Sequence, residues 1–326
     1  MTSNRLRQAA LLACTLFTAA ANAADTWKVV GSDVFGLPDG FYRSQGMTTD
    51  GVNDYFSWQF GLEKTDLDYN ELLRNSSISL TTGQVTSGIP ASLSAQGYDH
   101  IGDIDVANGI IYASLDNSQT RPLSYSQPAI ALYDANTLQY TGKFYTLNPP
   151  DGTHDIASWV AVDASAGLAY GMAYDNATEM AVYNLSDFSF VKYVPLSQTL
   201  DSVQGGKLFD GWMYMSSNDA SRSVYRTNVD TGEVQDLFSV KQPYDQEVEG
   251  LSVTAGADGE AVVNVLVVND PLNTGNPLDE NVTLYHVDDV ANSVPEPSAI
   301  ALMLAGVAVL GVGARRRRRH HDARMG

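Results

Sequence analysis

Two short acidic segments hold the residues best suited to chemistry in this 326-residue chain. The first, Asp99-His100-Ile101-Gly102-Asp103-Ile104-Asp105, sets a histidine among three carboxylates, and the second carries Glu247 and Glu249. Side chains of an extended strand alternate between its faces. Asp99, Asp103 and Asp105 therefore share one face, His100 takes the other, and Glu247 falls beside Glu249. Carboxylates converging from two such strands make an oxygen-rich site suited to Ca²⁺, which takes roughly six to eight oxygen ligands. Asp103, Glu247 and Glu249 are the expected ligands. The same groups offer a catalytic alternative, with paired carboxylates as acid and nucleophile in glycoside hydrolysis and His100 as general base. Plain structural hydrogen bonding competes with both. For Asp105 it is favoured, because Asp50 and Asp163 hold the same place in related segments and suit a turn.

The elements that must position these groups are short strands. Val/Ile/Tyr/Phe runs are punctuated by small turns, and no long amphipathic helical pattern occurs. Five turns recur: Asp50-Gly51, Asn108-Gly109, Ala166-Gly167, Asp210-Gly211 and Asp258-Gly259, each followed by an apolar run. Asp-Gly and Asn-Gly are strong hairpin signals. Most units add a second hairpin opened by a tyrosine-bearing strand, with Tyr133, Tyr183, Tyr225 and Tyr285 as blade-packing residues. Two hairpins per unit, repeated at about fifty residues, are the pattern of a four-stranded propeller blade. The expectation is an all-β, five-bladed β-propeller. Trp27 to Val30 would supply the outer strand that the last unit lacks. A six-bladed ring is the alternative if residues 67–93 hide another blade, and a β-sandwich is the less specific one.

Alignment of the units sets Gln45, His100, Trp159, Gln204 and Glu249 at the starts of the innermost strands, ringing one mouth of the channel. Such a ring can bind a ligand, with neighbouring glycines allowing close backbone approach. It can also be polar only because water fills the channel. Trp159 is placed to stack on a sugar.

Both ends of the chain read as targeting segments. Arg5 and Arg7, the apolar stretch Ala9 to Ala20 and the Ala21-Asn22-Ala23 site make a signal peptide, residues 1–23, for signal peptidase. Cys14, the single cysteine, lies within it, so the body holds neither disulfide nor thiol chemistry. The body, residues 24–293, keeps 36 acidic residues against 11 basic ones, a net charge of −25. That surface repels nucleic acid and anionic lipid, and suits cations or a neutral glycan. After the body come Val294-Pro295-Glu296-Pro297, an apolar stretch from Ala299 to Ala314, and basic residues opening with Arg315, Arg316 and Arg317. The stretch approaches the length of a transmembrane helix, and the arginines orient it with the body outside the cytoplasm.

Residues 294–319 resemble the PEP-CTERM sorting signal, leaving 320–326 as a tail. The resemblance covers about a tenth of the chain. It implies processing by an exosortase in a Gram-negative bacterium that makes exopolysaccharide, with transient membrane anchoring and then release or transfer to the cell surface. A permanent single-span anchor is the other reading of the same segment. The chain has no Walker A loop, dinucleotide-binding glycine fingerprint, H-E-x-x-H or G-x-S-x-G. Two functions follow for the body. One is a cell-surface or matrix protein binding a ligand such as exopolysaccharide or another surface glycan, with or without calcium. The other is an extracellular glycoside hydrolase or lyase acting through His100, Asp103 and Glu249.

Overall fold

A computed structural model describes residues 27–118, 125, 127–150, 155–257 and 259–289. The expected signal peptide, the sorting tail and Asp258 of the fifth turn lie outside these residues. Strand β1 (Trp27–Phe35) and a single helical turn, α1 (Asp39–Tyr42), precede the first blade, which is β2 (Gly46–Thr49), β3 (Asp54–Trp58), β4 (Gly61–Thr65) and β5 (Glu71–Arg74). A small ribbon, β6 (Ser77–Ile78) with β7 (Val85–Thr86), and the turn α2 (Ala91–Ser94) come next. The second blade is β8 (His100–Ala107), β9 (Ile110–Asp116), β10 (Ala129–Asp134) and β11 (Tyr140–Thr146). The third is β12 (Ala161–Asp163), β13 (Leu168–Met172), β14 (Ala177–Asn184) and β15 (Phe190–Leu200). The fourth is β16 (Val203–Phe209), β17 (Trp212–Ser217), β18 (Ser223–Asn228) and β19 (Val234–Ser239). The fifth is β20 (Asp245–Ala255), β21 (Ala261–Asp270) and β22 (Asn281–Asp289), completed by β1.

The protein is thus a five-bladed β-propeller of antiparallel four-stranded sheets. β1 pairs with β22, running from Trp27 opposite Asp289 to Phe35 opposite Val282, so the N-terminal strand closes the ring as the incomplete last repeat required. His286 reinforces the closure, with its two ring nitrogens 2.8 Å from Asp33 Oδ2 and 2.7 Å from Asn264 Oδ1. Residues 67–93 do not form a sixth blade. They give the outer strand of blade one, the ribbon and α2, from which Ile89 and Leu93 fill the seam between blades one and two.

The turn glycines connect the first two strands of every blade. Gly109 and Gly211 have φ of 75° and 77°, and the preceding Asn108 and Asp210 are also left-handed, the geometry of a tight two-residue hairpin. Between adjacent blades lie apolar seams, in which each sheet buries one face against the next. The tyrosines of the third strands sit in these seams. Tyr133 and Tyr183 are buried, and the Tyr183 hydroxyl donates to Asp155 at 2.9 Å.

Simple alternation fails along the innermost strands. Register shifts occur between Ile101 and Ile104 in β8, between Val203 and Gly205 in β16, and between Val248 and Leu251 in β20. A bulge of this kind re-aims the side chains after it. Asp99, Asp103 and Asp105 consequently do not share a face. Asp99 caps Ser118, Asp103 points across the axis, and Asp105 enters the seams on either side of its strand. Asp105 is no turn residue either. It accepts from Thr48 Oγ1 at 2.9 Å and the Val162 N–H at 2.8 Å, tying three blades together. Asp50 and Asp163 do cap their turns.

Candidate functional site

The hub of the ring is built from backbone at close quarters. A Cβ on Gly46 would lie 2.6 Å from the Asp103 Cα, and one on Gly250 would lie 2.7 Å from the Gly46 Cα. The glycines beside the ring residues therefore let neighbouring blades meet, and their closeness belongs to the scaffold rather than to a ligand. Blades are stitched at this level through the bulges. The Gly250 N–H donates to the Gln45 carbonyl at 2.7 Å, and the Asp103 N–H to the Ser158 carbonyl at 2.9 Å. Ser57 Oγ donates to the Gly102 carbonyl at 2.6 Å, Ser158 Oγ to that of Val203 at 3.1 Å, and Ser216 Oγ to that of Glu249.

Asp103 is the centre of this layer. Its Oδ2 lies 2.6 Å from Lys207 Nζ and accepts from the Gly206 N–H, while Oδ1 accepts from the Met47 and Ile104 N–H groups. Burial lifts its pKa to about 6, with Lys207 acting in the opposite direction. With its lone pairs committed, Asp103 joins neither the expected calcium set nor the expected catalytic set. It is absent from the wall of the cavity above it.

That cavity, of about 730 Å³, opens at the starts of the innermost strands. Gln45, His100, Gln204 and Glu249 line it as the repeat alignment expects, together with Glu247. Trp159 does not. It is 1% exposed and packs over Gly206, where an added Cβ would lie 2.4 Å from its ring, so it has no face to offer a sugar. Its neighbour Ser158 takes the place on the wall. Gln59, Asp116, Ser118, Tyr174 and Asp175 add to the polar lining and come from the ends of second strands or the loops just beyond. An alignment on strand starts passes over these positions. The usable signal was the polar residue that ends each apolar second-strand run.

A smaller chamber of about 310 Å³ adjoins the first and shares Gln45, Gln59, His100, Glu247 and Glu249 with it. Its other walls include Phe41, Trp58, Phe60 and Val268. Glu249, 3% exposed, stands on the common wall and accepts from Gln45 Nε2 at 3.2 Å. Burial, then the charges of Glu247 and Asp103, push its carboxyl well above the usual range, so it holds a proton where ordinary glutamates have lost theirs. Glu247 is exposed and accepts from Gln204 Nε2 at 2.9 Å. Asp116 is 1% exposed, its carboxyl raised by burial, and its Oδ1 is 3.1 Å from His100 Nδ1. Among the described residues no group of three or more His, Cys, Asp or Glu side chains converges to hold a metal ion.

No curated protein matches the chain. Among the solved structures similar to it, two share 12% identity with the chain. Kuenenia stuttgartiensis hydrazine synthase aligns over 73% of this chain and 59% of that one, with a TM-score of 0.39. The computationally designed Ika8 protein aligns over 75% and 61%, with a TM-score of 0.34. The chain thus spans about three-fifths of the length of these solved chains. No helix among the described residues is long and apolar enough to cross a membrane. One family model matches, that of the PEP-CTERM protein-sorting motif, over residues 293–318. The propeller is therefore followed at its C-terminal side by a PEP-CTERM sorting signal, which implies export and sorting by an exosortase.

Proposed function

We propose that this protein is an exported, exosortase-sorted component of the cell surface or extracellular matrix, whose propeller binds a small polar ligand in its axial cavity. The signal peptide would be removed by signal peptidase and the body held at the membrane by the tail until processing. The observation that carries the ligand reading is the cavity itself. All five blades contribute polar side chains to one space of about 730 Å³, within the range of small-molecule sites. A surface glycan is the natural candidate outside the cell. The catalytic alternative lacks its constellation, because Asp103 is engaged by Lys207 away from His100 and Glu249. Calcium is left with Glu247 and Glu249 from its expected set.

Chain direction gives the display a polarity. The innermost strands start at the cavity mouth and β22 runs the same way, so Asp289 lies on the opposite face, beside Trp27. Residues 290–292 alone separate it from the matched motif. The apolar stretch begins at Ala299, so the tether from Asp289 is the nine residues 290–298, which reach about 30 Å fully extended. While the tail is attached, it holds the propeller by its base, the face opposite the cavity mouth.

Ligand-observed NMR of the purified protein against a panel of oligosaccharides and small polar metabolites tests the reading. The control is Ala173→Trp, which fills the cavity from its wall. The expected result is at least one binder lost in the variant. A panel with no binder, or binders indifferent to Ala173→Trp, would remove the cavity from consideration.

A further inference from the structure

We propose that the axial cavity takes a small organic cation, a protonated amine carrying further hydrogen-bond donors, with its nitrogen held by Glu247 and Glu249 on the wall shared by the two chambers. This rests on the reading of the cavity as a ligand site and adds the chemical class of the occupant.

The lining is one-sided in charge. Asp116, Asp175, Glu247 and Glu249 face the larger chamber and Glu280 the smaller one. His100 is the only basic side chain among the described wall residues, and no Lys or Arg accompanies it. The one lysine near the axis, Lys207, gives its ammonium to Asp103 and the Gly206 carbonyl beneath the cavity floor. Phosphates, sulfates and uronates would meet only repulsion here.

An acidic wall alone is no site, and Asp116 supplies the independent observation. Its side chain is almost wholly buried, lines the cavity, and leaves Oδ2 with no hydrogen-bond partner among the described residues. A buried carboxylate oxygen without a donor is costly, and a ligand O–H or N–H is the group that would satisfy it. Glu249 is buried as well and takes a long hydrogen bond, 3.2 Å, from Gln45 Nε2. The smaller chamber adds Phe41, Trp58 and Phe60 beside Glu249. These walls exclude water from the junction and strengthen an ammonium–carboxylate pair formed there. A neutral polyol could satisfy Asp116, but it would leave the charge of the wall uncompensated.

Cation binding is coupled to the proton on Glu249. Around that carboxyl stand Glu247 on its own strand, Gln45 just before β2, His100 and Asp103 from β8, Asp116 from β9, Asp175 beyond β13, Gln204 from β16 and Glu280 before β22. An arriving ammonium favours the ionised form and expels the proton. Affinity therefore rises with pH through the range in which Glu249 titrates.

Three hexoses of nearly the same shape separate the possibilities: D-glucosamine, D-glucose and D-glucuronate, with 1,4-diaminobutane as a non-sugar cation. Each is titrated into the intact protein by ligand-observed NMR at acidic, neutral and mildly alkaline pH. Both amines are expected to bind, diaminobutane more tightly as pH rises and glucosamine only while its own amine stays protonated, up to about neutral pH, with glucose about tenfold weaker at neutral pH and glucuronate silent. Glu249→Gln keeps the shape of the side chain and weakens the amines by about tenfold or more. Exposed Glu247→Gln, which poses no threat to folding, weakens them in the same direction. Glucose binding as well as glucosamine, and lost in Ala173→Trp, would overturn the cation assignment while leaving the ligand cavity standing. Failure of both amines to bind overturns the assignment too, whatever the broader panel finds.

Discussion

Asp103 and Lys207 form an ion pair across the axis of the ring, Oδ2 to Nζ 2.6 Å, with both side chains buried and on the innermost strands of blades two and four. The pair holds together blades that do not share a seam. Buried pairs of this kind are poor sources of net stability, but removing one member leaves a charge with no compensation.

Asp103→Asn is accordingly expected to lower the unfolding free energy by about 3–5 kcal/mol. Lys207→Met, which strands the carboxylate, should do the same. The double variant should lose clearly less than the sum of the two. Denaturant melts of the four proteins form the cycle, and additive losses would mean that the pair has no coupling.

Asp155 predicts a pH dependence. It is buried, accepts from the Ala157 N–H at 2.7 Å and the Tyr183 hydroxyl at 2.9 Å, and has no cationic partner among the described residues. Burial raises its pKa to about 7 from an ordinary 3.8. The folded state thus holds a proton that the unfolded state releases near pH 4. The stability linked to this group is whole below that point and is lost as the pH rises through about 7, up to about 4 kcal/mol in all. Asp155→Asn should flatten this slope and be the more stable protein in mildly alkaline solution. Unfolding at pH values on either side of neutrality measures it, and parallel pH profiles for the two proteins would exclude the assignment.

Much of the architecture was legible because repetition writes the same local chemistry several times. Gly51, Gly109, Gly167 and Gly211 occupy equivalent hairpins with left-handed φ, and the missing outer strand of the last repeat pointed directly to Trp27. The mouth was legible at Gln45, His100, Gln204 and Glu249 for the same reason. What stayed hidden depends on contacts between repeats. Alternation assigns faces correctly only in a regular strand, and the bulge at Ile101–Ile104 sends Asp103 to Lys207, 104 residues away. Trp159 looked exposed because its repeat position is a mouth position. The short third-blade strand β12 begins only at Ala161, so the ring of Trp159 turns into the seam over Gly206.

This placement of Trp159 separates stability from binding. The indole packs among Ala161, Met172, Met213 and Met215 in the seam between blades three and four. Trp159→Ala should therefore cost about 3–5 kcal/mol of stability. The protein that remains folded should bind cavity ligands as wild type does. A stable variant with lost binding would return Trp159 to the site.

The pairing of Trp27 with Asp289 predicts how the body stands on the membrane. Gln204 lies at the cavity mouth, and Asp210 at the hairpin on the opposite face, which is also the face from which the tail leaves. The body has no cysteine of its own, since Cys14 precedes it, so single cysteines can be placed at will. In cells lacking the processing enzyme, Gln204→Cys should react readily with a bulky, membrane-impermeant maleimide. Asp210→Cys should react more slowly, because it lies on the tethered face, which residues 290–298 hold within about 30 Å of the apolar stretch. Release of the body by processing should bring the two rates together. Equal rates before processing would mean that the propeller swings freely on its tail. A faster Asp210→Cys would mean that the cavity faces the membrane, which would reverse the proposed display.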